Sequence, residues 1–146
     1  MQYISTSENE TTDIAGKITE KLRLSLAGQP LTIFLKGTLG AGKSVFARSM
    51  IRCLMNDQNL NVPSPTFTLV QHYDTAENVP VYHLDLYRLE EPEEILELGW
   101  DDMQAEGLCL IEWPERLGPY APYHRIEITI ETGGGDGPRT ITINGE

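Results

Sequence analysis

The sequence predicts an α/β fold, a single domain with a central, mostly parallel sheet, antiparallel hairpin additions and flanking helices. Three observations carry that prediction. Two short apolar runs, LTIFL (residues 31–35) and LCLIE (residues 108–112), have the length and near-continuous hydrophobicity of strands buried on both faces. The first leads through GTLGAGKS (residues 37–44) into the helix-like VFARSM, giving a strand, a glycine loop and a helix in series. Two further stretches, residues 66–89 and 125–145, read as pairs of strands around polar or glycine-rich turns. A chain of 146 residues can build one hydrophobic core, and it is too short for a nucleotide domain plus a separate substrate domain, so one domain is expected over residues 1–146.

Each element follows from a local pattern. Ser7 stands three residues before Glu10, the spacing of a capping box, so a helix is expected to start there. Ile14, Ile18, Leu22 and Leu26 then give it one apolar stripe, and Gly28 supplies its stop. The strand LTIFLK enters the glycine loop, and a helix runs from residue 43 to about residue 55. NDQNLNVPSP is polar and proline-bearing, hence loop. TFTLVQHYD and VPVYHLDLYRL, separated by TAEN, form the first expected hairpin. In EPEEILELGW, Pro92 suits a first helical turn, the acidic residues favour a helix N-terminus, and Gly99 suits its end. LCLIEW is the next buried strand. RIEITIE and RTITING alternate apolar and polar residues around TGGGDGP, which predicts a second hairpin with one wet face.

Composition narrows the function classes. With 40% hydrophobic residues and no apolar run near eighteen, the chain reads as soluble and globular, with no membrane segment. MQYISTSENE has neither the basic region nor the apolar stretch of a secretory signal, so a cytoplasmic location is expected. Cys53 and Cys109 lack C-x-x-C spacing and read as buried, reduced thiols. Eleven basic against 22 acidic residues give a net charge of −11, which repels nucleic acid and argues against independent DNA or RNA binding.

GTLGAGKS fits G-x-x-x-x-G-K-[ST]. A polyphosphate needs many donors converging without side chains in the way, and Gly37, Gly40 and Gly42 remove Cβ atoms so that backbone N–H groups can curl around it. The nucleotide-binding loop is taken as Gly37, Thr38, Leu39, Gly40, Ala41, Gly42, Lys43, Ser44 and Val45. Lys43 adds a point charge for the β- and γ-phosphates, and the Ser44 hydroxyl is placed to ligate Mg²⁺. Such a loop also needs an acid at the end of a neighbouring strand. VYHLD ends in Asp85 and LCLIE in Glu112; the more uniformly apolar second run makes Glu112 the first choice for the metal region, with Asp85 a second carboxylate nearby. Ser64 and Thr66 in SPTFT fit either a plain turn or a phosphate-sensing switch. Trp113 fits either a core-capping aromatic or a surface against nucleotide or partner. His72 and His83 have no metal-ligand spacing and read as structural or surface residues. No N-K-x-D guanine motif occurs, which favours ATP over GTP.

Taken in series, GTLGAGKS, SPTFTLVQHYD, HLDLYRL with EEPEEILELG, and LIEWPER resemble the bacterial TsaE (YjeE) family over about residues 31–116. The resemblance implies a small P-loop ATPase, with ATP and Mg²⁺ as cofactors, that assists formation of N6-threonylcarbamoyladenosine at position 37 of tRNAs reading codons that start with A. It also implies a protein partner, the complex of TsaB and TsaD. By motif position, Lys43 binds phosphate, Ser44 ligates Mg²⁺, Glu112 is the metal-region acid and Asp85 a catalytic or structural acid. The resemblance also implies that Thr66 belongs to the first switch, that Trp113 lies on the nucleotide side and that further nucleotide contacts fall around residues 9–12. Where the family commonly reads GDLGAGKT and a further Thr, this chain has Thr38, Ser44 and Val45. Arg88 and Arg116 are the internal candidates to stabilise charge on a transferring phosphoryl group. A small-molecule kinase and an ATP-dependent binding switch are the competing readings.

Overall fold

The computed structural model describes residues 1–26, 29–38, 40–76, 78–133 and 137–145, without the side chains of Ser25 and Leu26. Gly28, Leu39, the Leu26 side chain and the centre of the glycine turn (residues 134–136) therefore lie outside the described residues. In chain order the elements are β1 (Gln2–Ser5), α1 (Glu8–Leu26), β2 (Leu31–Lys36), α2 (Lys43–Leu54), β3 (Val70–Asp74), β4 (Pro80–Asp85), α3 (Glu94–Glu97), α4 (Trp100–Glu106), β5 (Leu108–Glu112), a 3-10 stretch (Pro114–Tyr120), β6 (Ile126–Thr132) and β7 (Arg139–Gly145).

One mixed sheet of seven strands runs in the order β1-β7-β6-β2-β5-β4-β3. Its centre is parallel, since β2 pairs with β5 and β6, and β5 with β4, all in parallel. The antiparallel pairs lie outside that centre, β3 with β4 on one side and β6 with β7 and β7 with β1 on the other. Both expected hairpins form, and LTIFL and LCLIE are neighbours as their apolar sequences require. VYHLD has two roles, because β4 closes the first hairpin and also belongs to the parallel centre beside β5.

The two faces of the sheet bury different residues of the same strands. Ile33, Leu35, Val81, Leu108, Leu110, Ile126, Ile128, Ile130 and Ile141 pack with Ile14, Ile18, Phe46, Met50 and Ile51 of α1 and α2. Phe34, Leu84, Cys109 and Ile111 point the other way, onto Ile95, Trp100, Met103 and Leu117 of α3, α4 and the 3-10 stretch. The alternation of side chains along a strand makes the division. Helix α1 starts as its capping residues predict, with Ser7 Oγ accepting the Glu10 N–H at 3.1 Å. The Glu10 carboxylate reaches one residue further back than a capping box requires, accepting from the Thr6 hydroxyl and N–H, and these bonds hold its carboxyl below the usual range.

Three elements were not expected. In β1 the outward residue is apolar, Ile4 being 64% exposed while Ser5 is buried, so its pattern reads backwards and only pairing with β7 makes it a strand. Helix α4 is hidden behind Gly99, which ends α3 as expected but, in the left-handed region at φ 87°, also starts the next helix. The 3-10 stretch has no apolar periodicity of its own; Pro114 opens it and Leu117 anchors it in the core.

Candidate active site

The site is assembled where β2, β4 and β5 end beside the start of α2. Gly37 follows β2 with φ 154°, and a Cβ there would stand 2.6 Å from the Ile130 carbonyl oxygen of β6. Glycine is thus what lets the loop turn so close to the sheet. Gly42 caps α2 in the left-handed region at φ 105°. Within the loop the Ala41 N–H donates to the Thr38 carbonyl at 3.1 Å, and Thr38 itself is exposed. Val45, another departure from the family loop, accepts the Ser49 hydroxyl on its carbonyl at 2.8 Å.

Lys43 is 6% exposed although it opens α2. Its ammonium donates to the Gly37 carbonyl at 2.7 Å and lies 3.5 Å from the centroid of the Trp113 ring. Burial pulls its pKa below the ordinary lysine value, opposed by the carboxylates of Glu112, Glu115 and Asp85. Trp113 reaches it because the residue takes a left-handed backbone, φ 59° and ψ 51°, immediately after β5, uncommon for a bulky side chain. The indole is half-buried, tilted against Tyr87 at 5.0 Å and packed on the second core. The indole thus caps the core, as one of the two expected uses requires, and its ring lies against the Lys43 ammonium.

Asp85 and Glu112 are partners in the parallel register of β4 and β5, so the two strands present their terminal acids side by side. Both are buried, 6% and 4% exposed, and by alternation they share the α2 face with Leu110 and Val81. Lys43 and Glu112 thus stand on one face. Asp85 accepts the Thr66 hydroxyl at 3.1 Å on one oxygen and the Tyr87 N–H at 3.0 Å on the other. Ser64 and Thr66 hydroxyls are 2.7 Å apart. The SPTFT loop is therefore tied to the β4 acid and is more than an isolated turn.

A cavity of about 20 Å³ lies between Ser44, Arg48, Val62, Pro63, Ser64, His83 and Glu112. That is room for one water-sized group. Ser44 and Glu112 are oxygen ligands of the kind Mg²⁺ takes, and a nucleotide-bound Mg²⁺ needs only one or two protein ligands beside phosphate and water. Among the described residues no three His, Cys, Asp or Glu groups gather to hold a metal by themselves. The donor set fits Mg²⁺ carried with a nucleotide.

Three further residues stand at this corner beyond the predicted site set. Arg139, on β7, donates through Nε to the Ala41 carbonyl at 2.8 Å and through a second nitrogen to Gly40 at 3.4 Å. Arg48 lies one turn beyond Ser44 and lines the cavity. His83, read as structural or surface, is buried with its Nε2 2.7 Å from Glu112 Oε2. A polar residue inside an otherwise apolar strand, facing the same way as a terminal acid, was the available signal. His72 is a surface residue, its Nε2 lying 2.9 Å from Asp74 Oδ1. Arg88 lies over the Phe67 ring, and Arg116 donates to the Leu89 carbonyl and stands over Tyr87.

Fold and site define an α/β protein of the P-loop class, with a glycine loop between strand and helix and acids closing the adjacent strands. The family model described as threonylcarbamoyl adenosine biosynthesis protein TsaE matches residues 5–141, and the chain belongs to the TsaE family of tRNA threonylcarbamoyladenosine biosynthesis. It is 39% identical over 128 residues to the protein of that name from Rickettsia felis, covering 88% of this chain and 71% of the relative. It is 35% identical over 128 residues to the Bacillus subtilis protein of that name, covering 87% and 77%. The crystal structure of Bacillus subtilis YdiB superposes with a TM-score of 0.71 at 26% identity, covering 99% of this chain and 84% of that one. Among the described residues no helix is long and apolar enough to cross a membrane.

Proposed function

We propose that this chain is a Mg²⁺-dependent ATPase of the cytoplasm that supports threonylcarbamoylation of adenosine 37 in tRNAs reading codons that start with A, acting on a complex of TsaB and TsaD. The observation that supports it most is the meeting of Lys43 and Ser44, at the start of α2, with Asp85 and Glu112, paired at the ends of β4 and β5. The loop N–H groups and the positive end of α2 receive the phosphates. Lys43 exchanges the Gly37 carbonyl for phosphate oxygen, and Ser44 and Glu112 hold Mg²⁺. Bound there, Mg²⁺ offsets negative charge on the phosphoryl oxygens. Asp85 positions Thr66, Arg139 braces the loop from behind, and Trp113 keeps water from the lysine.

Arg139 holds loop carbonyls, Arg116 donates to the Leu89 carbonyl and Arg88 lies over the Phe67 ring, while Arg48 lines the cavity beside Ser44. A lone loop of this kind turns over slowly, and partners change its rate. A net charge of −11 favours action through proteins rather than directly on tRNA. Reconstituted tRNA modification with purified TsaB and TsaD tests the reading. Multiple turnovers should require this chain and ATP, and Lys43→Ala and Glu112→Ala should each abolish them. A Glu112→Ala protein that binds ATP and still sustains full modification would establish an ATP-dependent binding switch instead. Fast hydrolysis that is identical with and without the partners would also overturn the proposal.

A further inference from the structure

His83 lies beside the phosphate machinery, and its two ring nitrogens have opposite surroundings. The residue is 3% exposed on β4, two positions before Asp85 and on the same face. Its Nε2 is 2.7 Å from Glu112 Oε2, whereas Nδ1 is buried and has no partner among the described residues. Against an ionised carboxylate, which only accepts hydrogen bonds, the proton of this contact belongs on Nε2. With the proton there, Nδ1 buries a lone pair; with the proton on Nδ1, the ring would bury an unpaired N–H and set a lone pair against the carboxylate.

Glu112 is as dependent on this contact as His83 is. It is 4% exposed, and among the described residues His83 is the one side-chain donor within hydrogen-bond distance of it. A buried carboxylate needs a hydrogen-bond donor to offset its lost hydration, and the donor fixes where that oxygen points. Both residues line the small cavity that also holds Ser44 and Ser64. We propose that His83 is a positioning residue: its Nε2–H holds one oxygen of Glu112 and leaves the other to the Mg²⁺–nucleotide at the Ser44 corner. The role rests on the Mg²⁺–nucleotide reading of the site, and it predicts that His83 governs metal affinity while leaving metal-free nucleotide binding alone.

Two measurements test it. Nitrogen-15 NMR of the ring in the metal-free protein should show His83 in the Nε2–H tautomer, and Glu112→Ala should release it to a mixture; an Nδ1–H tautomer in the wild type overturns the proposal. Mn²⁺ titration in the presence of ADP, read by electron paramagnetic resonance, should show His83→Leu needing ~10-fold or more Mn²⁺ for half occupancy. His83→Gln, whose amide can still donate to Glu112, should recover to within about 3-fold of wild type by the same reasoning. ADP affinity in EDTA should stay within about 2-fold throughout, and kcat should fall while KM for ATP holds. Unchanged Mn²⁺ binding in a folded His83→Leu protein overturns the role, as does a parallel loss of affinity in EDTA, which would make His83 a packing residue. Where His83→Leu does not fold, the tautomer and His83→Gln decide. A wild-type chain that binds no Mn²⁺ with ADP overturns the site reading itself, and the positioning role with it.

Discussion

The Lys43 ammonium and the two thiols are each governed by burial, with different results. Lys43 stays usable because Gly37 and the ring of Trp113 satisfy it and three carboxylates counter its desolvation. Cys109 has no such help, and Cys53 has only the opposing Arg23. Burial pushes Cys109 up to about 12 and, with Glu20 adding to it, Cys53 up to about 11. Cys109 is buried as expected, while Cys53 is only half-buried on α2. When pH rises past the ordinary thiol range near 9, the unfolded chain ionises Cys109 and the folded chain does not. The folded state then binds more protons, so stability falls as pH rises between about 9 and 12. Cys109→Ala removes that group, and its stability should fall less steeply than wild type, by up to ~1.4 kcal/mol per pH unit. Urea unfolding at pH 8, 9 and 10 measures the difference. Equal slopes would mean that the thiol is not protected by its burial.

The glycine loop is held from an element almost a hundred residues away. Arg139 of β7 donates to the carbonyls of Ala41 and Gly40, and its side chain lies against Gly42. A planar guanidinium can span two adjacent carbonyls, whereas a lysine offers a single point. Arg139→Ala should therefore weaken ATP binding by about 10-fold, ~1.4 kcal/mol and close to the lower end for hydrogen bonds made by a charged group, and Arg139→Lys should recover little of it. Calorimetric ATP titration of the two variants checks this; wild-type affinity in Arg139→Ala would show that the loop needs no brace. The contact also explains what the sequence could not reveal. Lys43, Ser44, Asp85 and Glu112 were legible because each is fixed by its neighbours in sequence, a glycine loop or the end of an apolar run. Arg139 and Arg48 lack such a mark, and the contact of His83 with Glu112 could not be read because the partner lies on another strand. The same distinction separates β2, β5, α1 and α2, whose apolar patterns are local, from β1, which is a strand only because β7 is there to pair with it.

At the scale of the molecule, the central strands belong to two cores at once. Leu110 faces α1 and α2, while its neighbours Cys109 and Ile111 face α3, α4 and the 3-10 stretch. Neither face can lose its packing without exposing the back of strands that the other face needs, so one cooperative unit is expected of the whole chain. Trp100, 1% exposed in the second core, reports on that side, and far-ultraviolet circular dichroism is dominated by α1 and α2 on the other. Leu110→Ala and Ile111→Ala, adjacent truncations of fully buried residues on opposite faces, should each cost about 2–5 kcal/mol. In urea, each variant should shift the fluorescence and circular dichroism transitions together, with the denaturant slope unchanged. If Leu110→Ala instead moved only the circular dichroism transition, or Ile111→Ala only the fluorescence transition, the two layers would be separate folding units. The acids at the end of β4 and β5 would then stand at a boundary rather than inside one rigid body.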